Sequence, residues 1–306
     1  MPAARIISLL PAATEAVCRF GAAGRLVGRS HACDHPPEVA GVPVCTAPRF
    51  DSSAPGGVID RRVRELAATG GGCYQLDEPL IRSLQPDLIL TQAQCPVCAV
   101  SQAEVEALVA RLPGPPPKVL ALAPARMAQI WEELLRIAEA LDLLPGGREL
   151  LRPLKERVVA IIEKSCVVSD RPGVVCLEWL DPLMAAGHWL PELVELAGGR
   201  NLLGTAGRPS APVNWEAVRA ADPQVLILLP CGFDLARTRR EVGALTRLPG
   251  WDRLRAVRKG RVFLADGDHY FNRPGPRIVE SLEALAEICH PRRFAFGHAG
   301  RVWQPL

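Results

Sequence analysis

No stretch of this 306-residue chain approaches the roughly 20 uninterrupted apolar residues of a membrane-spanning helix, so any membrane role is peripheral. No run of five like charges occurs, and the net charge is only +3, from 36 basic against 33 acidic residues. That balance excludes a polyelectrolyte tail and a nucleic-acid-binding stripe. Gly-x-Gly-x-x-Gly and Gly-x-x-x-x-Gly-Lys-Ser/Thr loops are missing, which removes the usual sequence support for nucleotide binding, and without a Gly-x-Ser-x-Gly elbow Ser8, His31 and Asp34 are no more than scattered residue types. Lysine is scarce, four against thirty-two arginines, and this separates no ligand classes. Aromatics make up only 5%. What is present, 48% hydrophobic and 23% charged residues, is the usage of folded globular domains, and the length suggests two of them.

The N-terminal apolar run Ile6 to Leu10 has five residues, and a single Arg5 precedes it. A secretory segment needs an apolar region of about 7 to 15 residues, so no export signal is expected here. The ten cysteines then read as reduced thiols, and the expected location is the cytoplasm, with the periplasm as the alternative.

Short apolar runs alternate with helical periodicity along the chain. Arg5 to Leu10, Leu26 to Gly28, Val42 to Cys45, Pro86 to Thr91 and Lys118 to Ala123 read as strands, and a helix capped by Thr14 follows the first. Residues 124–169 are strongly helical apart from Pro145-Gly146-Gly147. A second series follows: strands Gly173 to Glu178, Val225 to Leu229 and Arg261 to Ala265, with helices Leu190 to Ala197, Arg239 to Leu245 and Pro276 to Cys289. The pattern predicts an α/β protein with mainly parallel sheets: a lobe over 1–123, a long connecting helix over 124–169 and a second lobe over 170–306. Leu84-Gln85-Pro86-Asp87-Leu88 and Ala221-Asp222-Pro223-Gln224-Val225 echo one another, as two similar lobes would.

Ligands of open parallel sheets sit beyond the carboxyl ends of the strands. The segments there are chemically rich: Pro11 to Glu15, Ser30 to His35, Thr46 to Asp51 and Gln92 to Cys98 in the first half; Glu178 to Pro182, Pro230 to Phe233 and Asp266 to Pro274 in the second. Residues 179–271 hold eight of the fifteen aromatics. Trp251 and Phe263 read as core. Trp179, Phe233, Tyr270 and Phe271 read as walls of a pocket for a bulky organic ligand, because adjacent rings before a Pro/Gly turn are hard to bury. Cys95-Pro96-Val97-Cys98 admits a redox pair, a structural or ligand-facing pair, or, with His31, Cys33 and His35, a metal site.

Over nearly its whole length the sequence resembles the cobalamin-binding proteins related to the substrate receptors of vitamin and iron-chelate ABC importers. The resemblance is carried by Arg5 to Glu15, Gly28 to Pro36, Pro86 to Leu90, Gln94 to Ser101, Glu178 to Pro182, Ala186 to Trp189 and Tyr270 to Pro276. It looks like a leaderless subgroup of that family. The resemblance implies two Rossmann-like lobes joined by one long helix, the class III periplasmic-binding-protein-like arrangement, holding a corrinoid between them without chemistry. The ligand-binding residues expected are Ser8, Pro11, Thr14, His31, Phe50, Tyr74, Gln92 and Cys95 in the first lobe. In the second they are Trp179, His188, Trp189, Phe233, His269, Tyr270, Phe271 and Arg273, with Asn272 beside them. No metal ion is expected apart from the cargo's cobalt, for which His31, His188 or His269 is a candidate axial ligand. The resemblance also implies docking to a permease through one acid on each lobe, here Glu78, next to Pro79, and Glu216; an intracellular delivery partner is the alternative. The expected protein is a monomeric, non-enzymatic binder of cobalamin. Iron chelate, haem or a metal ion is the alternative cargo, and a thiol enzyme using Cys95 and Cys98 is the reading from another class.

Overall fold

A computed structural model describes residues 4–69, 72–94 and 99–306. The chain forms two compact units, one of residues 1–54, 58–124 and 128–152, the other of 55–57, 125–127 and 153–306.

The first unit runs β1 (Ile6–Ser8), α1 (Pro11–Arg19), β2 (Leu26–Arg29), β3 (Thr46–Pro48), α2 (Gly56–Ala68), β4 (Tyr74–Leu76), α3 (Glu78–Leu84), β5 (Leu88–Gln92), α4 (Gln102–Val109), β6 (Lys118–Leu122) and α5 (Met127–Ala140). Its main sheet has the order β2-β1-β5-β6, all parallel. β1 and β5 lie inside it and are buried along their whole length, which is why they read as unbroken apolar runs instead of alternating ones. Ile7, Leu9, Ile81, Ile89, Val105 and Leu108 make its core.

Three local expectations need correction in this half. Helix α1 starts at Pro11, not after Thr14, because proline's fixed φ suits the first helical position; Thr14 is a buried residue inside the first turns. The segment 42–45 makes a single parallel bridge, Val44 to Arg29, and the named strand begins at Thr46, where it pairs antiparallel with β4. The helical stretch 124–169 is two helices, α5 and α6 (Leu144–Ser165), because Asp142 takes a left-handed φ of 59° and Leu143 N–H closes back on the Ala138 carbonyl at 2.8 Å. Pro145 is tolerated in the first turn of α6, so Pro145-Gly146-Gly147 does not interrupt it. The chain passes from one unit to the other inside α6, at Arg152 and Pro153.

The second unit continues with β7 (Gly173–Leu180), β8 (Leu183–Ala185), α7 (Leu190–Leu196), β9 (Arg200–Asn201), β10 (Ala211–Pro212), α8 (Trp215–Ala221), β11 (Val225–Leu228), α9 (Leu235–Glu241), α10 (Gly243–Thr246), α11 (Arg255–Arg258), β12 (Val262–Ala265), α12 (Ile278–Cys289) and β13 (Trp303–Pro305). The order is β10-β8-β7-β11-β12-β13, with β9 also on β7. β9, β7, β11 and β12 are parallel, and β8, β10 and β13 pair antiparallel. The expected helix Arg239 to Leu245 is displaced: α9 starts earlier because Asp234 caps it, accepting from Arg237 N–H at 2.6 Å, and a separate turn, α10, begins at Gly243. Trp215 and Trp251 stack at 6.3 Å within the core of Val175, Leu177, Leu226, Leu228 and Leu264. Trp251 is thus core, as read; Phe263 is half-buried against the edge of Trp303 at 5.3 Å. Among the described residues no helix is long and apolar enough to cross a membrane.

Candidate functional site

In the first unit the turn after β1 is closed by its own side chains. Ser8 and Thr14 are fully buried, Thr14 Oγ1 donating to Ser8 Oγ at 2.8 Å and lying 3.0 Å from Cys33 Sγ. These two hydroxyls, with Pro11 beside them, shape the loop instead of offering themselves outward. Gln92, 5% exposed, is likewise engaged: its Oε1 accepts from Gln94 N–H at 2.7 Å. His31, Tyr74 and Phe50 come together as a cluster of rings. His31 lies 5.3 Å from Tyr74, and Phe50 meets Tyr74 edge-on at 6.0 Å. His31 Nδ1 is 2.7 Å from Thr46 Oγ1, which also accepts the His31 backbone N–H at 3.0 Å. That double contact fixes the ring, burial holds its pKa below the ordinary value, and Nε2 is the nitrogen left to a ligand. Cys95 and Cys98 lie outside the described residues.

In the second unit Trp179, near the end of β7, and Phe233, just past β11, meet at 5.1 Å and 50°. The Trp179 Nε1 donates to Asp181 O at 2.9 Å, and the Arg237 guanidinium lies over the Phe233 ring at 4.2 Å. Trp179 keeps part of its ring exposed, whereas Phe233 is buried behind it. His188 has a left-handed φ of 52° and a buried Nδ1 without a hydrogen-bond partner, and its ring stacks on Trp189 at 5.8 Å. A strained backbone and a buried ring nitrogen without a partner thus coincide at this position. The preceding Gly187 has to be glycine: a Cβ there would stand 2.5 Å from the Arg208 carbonyl and the Ser210 nitrogen. Trp189 is 5% exposed, and its Nε1 donates to the Phe271 carbonyl at 3.0 Å.

The expectation of an exposed Tyr270-Phe271 pair is overturned. Phe271 is 0% exposed and Tyr270 7%. Arg277 and Arg301 lie over the Tyr270 ring at 5.0 and 5.6 Å, and Arg301 donates to its hydroxyl at 2.7 Å. The doublet anchors the loop after β12 from below. Asn272 donates to the Leu229 and Gly267 carbonyls, and Arg273 donates to Asp268 Oδ1 at 2.9 Å. His269, on the rim of that loop, faces Asp266 through Nδ1 at 2.9 Å. Residues that sequence reading missed, Thr46 and Asp266 above all, act by fixing a histidine. Asp266 was findable three residues before His269; Thr46 was not, since only β3 brings it to His31.

Glu178, one residue before Trp179, accepts from Ser210 Oγ at 2.8 Å, and Ser210 Oγ in turn accepts from Gly187 N–H at 3.0 Å. Burial pushes its carboxyl from 4.5 up to about 7, against those hydrogen bonds. A raised carboxyl pKa favours the folded state below it, so stability falls as pH rises from about 4.5 to 7 and is level above. Glu178→Gln is expected to abolish about 3 kcal/mol of that pH-dependent loss, measured by urea unfolding at pH 5 and pH 8; parallel pH profiles in the two proteins would refute it. Described thiols are pushed up as well, Cys18, Cys231 and Cys289 to about 12 and Cys45 to about 11, chiefly by burial, and none of these four is a thiolate nucleophile at neutral pH.

Both expected docking acids sit in first helical turns. Glu78 of α3 is paired with Arg111 at 2.9 Å and Arg82 at 3.3 Å, and these contacts, that to Arg111 first, hold it below the usual carboxylate range. Glu216 of α8 borders a depression of about 500 Å³ lined also by Arg219, Asp222 and Arg253.

Two ring-bearing α/β units with polar loops at the carboxyl ends of parallel strands define a solute-binding protein of the two-lobed type. Residues 6–269 match the periplasmic binding protein family, and the chain belongs to it. It is 23% identical over 286 residues to the vitamin B12-binding protein of Photorhabdus laumondii subsp. laumondii, covering 92% of this chain and 86% of that one. Its fold is similar to the periplasmic vitamin B12 binding protein BtuF of Vibrio cholerae, with a TM-score of 0.67, 20% identity and coverage of 94% and 97%. It is also similar to IsdE of S. aureus complexed with heme, with a TM-score of 0.71, 14% identity and coverage of 94% and 98%. The family comprises substrate-binding proteins, not catalysts.

Proposed function

We propose that this chain binds cobalamin or a related corrinoid as intact cargo, for holding, salvage or delivery. The observation that supports this best is a part-exposed ring cluster on each unit: on one, His31 after β2 and Phe50 after β3 against Tyr74 at the start of β4; on the other, Trp179 near the end of β7 against Phe233 after β11. A corrin is a broad, partly apolar disc, and flat rings with a few polar neighbours suit it. His31, with Nδ1 held by Thr46, is the imidazole best prepared to meet the cargo's cobalt; His188 is the candidate on the second unit. Haem is the second reading, favoured by the same anchored imidazole, which suits iron equally. Docking of Glu78 and Glu216 to a permease belongs to the proposal, as does residence in the cytoplasm.

The test is a visible-absorption titration of the full chain with aquocobalamin and, separately, haemin. Saturable 1:1 binding of the corrinoid is expected, with a band shift that His31→Ala removes. Trp179→Ala is expected to weaken binding by about 2 kcal/mol, near thirtyfold. Haemin binding without corrinoid binding would replace the first reading by the second. Cell fractionation decides the location.

A further inference from the structure

The charge balance of the whole chain conceals a local excess. Residues 237–261 hold nine basic against two acidic groups, a net +7 in a chain whose total is +3. The segment belongs to the crossover from β11 to β12, which are neighbouring parallel strands, so α9, α10 and α11 lie on one face of the second sheet. Val242, Leu245, Trp251, Leu254 and Ala256 turn inward there and join the core beside Trp215 of α8. With the apolar positions committed to the sheet, the basic side chains between them stay on the outer surface. Arg240, Arg247, Arg253, Arg258 and Lys259 are all exposed, and none makes an ion pair with a described residue. Of the acids in this layer, Asp222 pairs with Arg255 at 3.4 Å, Glu241 pairs with Arg237 at 3.5 Å, and Asp234 caps α9; Glu216 and Asp252 are the other two.

We propose that this layer docks on an anionic phospholipid surface, as a peripheral and salt-sensitive contact. What the layer presents selects that partner. None of the exposed large apolar side chains falls within residues 214–261, so a peptide finds no apolar groove to fill. Trp215 and Trp251 are buried, so no ring is offered to stack on a base. Helix α9 has seven residues and α10 and α11 four each, too short to lie along a DNA groove. What remains is a spread of unpaired guanidinium groups with one ammonium, and guanidinium groups hold phosphate oxygens through paired, charge-assisted hydrogen bonds. An anionic leaflet attracts each such group near its surface, and the attraction falls off within a screening length. The contact needs no side chain to enter the bilayer core, as the lack of exposed apolar residues on this face requires.

The experiment is flotation of the full chain, free of corrinoid, with vesicles of phosphatidylcholine alone and with vesicles to which phosphatidylglycerol has been added. At about 0.1 M salt the protein is expected to float with the anionic vesicles and not with the neutral ones, and at about 1 M salt, where the screening length falls to about 3 Å, to stay behind. Each charge removed from the layer is expected to weaken the partition about fivefold, so Arg253→Gln combined with Arg258→Gln lowers it about 25-fold. Arg62→Gln combined with Arg64→Gln, exposed arginines of α2 in the first unit, removes the same charge and is expected to leave the partition unchanged. All four side chains are on the surface, and circular dichroism and melting show that each variant is folded. Equal partition onto neutral and anionic vesicles, no partition onto either, or an equal loss in the two double variants overturns the proposal. So does binding of a DNA duplex or a polyglutamate peptide under conditions in which the anionic vesicles are left free, which assigns the face to a nucleic acid or to an acidic protein segment. The cargo plays no part in any of these arms.

Discussion

Replacing Glu283 by alanine is expected to cost about 2–3 kcal/mol of stability in the second unit, because buried His298 loses its acceptor and the part-exposed Arg157 its carboxylate. Glu283 lies on α12 at 4% exposure. Arg157 of α6 grips it with two parallel bonds, Nε to Oε1 at 2.9 Å and Nη2 to Oε2 at 2.7 Å. His298, itself 4% exposed, meets Oε2 through Nε2 at 2.7 Å, while its Nδ1 faces Arg301 Nη2 at 2.9 Å. A guanidinium cannot accept, so Nδ1 is the acceptor and Nε2 carries the proton given to Glu283. Through Arg301 the network reaches Tyr270, and through Glu287, which accepts from Gly297 N–H at 2.7 Å and Trp303 Nε1 at 2.8 Å, it fastens the C-terminal segment. Alanine at 283 removes the carboxylate that Arg157 and His298 share.

The pH dependence follows from the same contacts. Burial alone would raise the Glu283 carboxyl, but the hydrogen bonds from His298 and Arg157 more than offset it and hold it below 4.5. A depressed carboxyl pKa adds stability above the unfolded value, lost as pH falls through the folded one. The gap between wild type and Glu283→Ala, read from urea midpoints, is therefore expected to be full at pH 7 and to narrow below about 4.5. A cycle with Arg157→Met is expected to show more than about 1 kcal/mol of coupling. A loss below about 1 kcal/mol at pH 7 would mean that the network merely fills space.

How much of this was legible beforehand depends on how local its cause is. Leu88-Ile89-Leu90 and Val225 to Leu228 read correctly as strands because a strand buried on both faces needs nothing but continuous apolar residues. The edge strands β9, β10 and β13 have two or three residues each and exist only because a neighbour pairs with them. In the same way His31 and Phe233 could be chosen from their places after strands and Trp179 from its place near the end of one, whereas the contact of Thr46 with His31 spans fifteen residues and needs the chain to fold back. His298 had no local signal at all: its partners lie on α12 and at Arg301, and a histidine in a terminal segment resembles any other surface histidine until those are in place.

The Tyr270-Phe271 doublet shows where reading from residue type goes astray, and it supplies the second large expected effect. Phe271→Ala is expected to destabilise the second unit by about 3–5 kcal/mol, as large-to-small changes at packed sites do. The ring is wholly buried, and its carbonyl holds Trp189 Nε1, so the cavity opens beneath the loop that carries Asp268 and His269. Phe271→Leu is expected to recover more than half of the loss, because the leucine side chain refills much of the volume. Affinity for a corrinoid, measured on the folded fraction, is expected to change far less in Phe271→Leu than in Trp179→Ala, whose ring is part-exposed and whose removal leaves the core intact. Thermal melts and titrations on the same three proteins separate the roles. If Phe271→Leu melts like wild type but loses the cargo, the ring faces a ligand after all; if it melts early and still binds, the adjacent aromatics are there to brace the loop from within, and the Pro274-Gly275-Pro276 turn that follows serves to bury them rather than to display them.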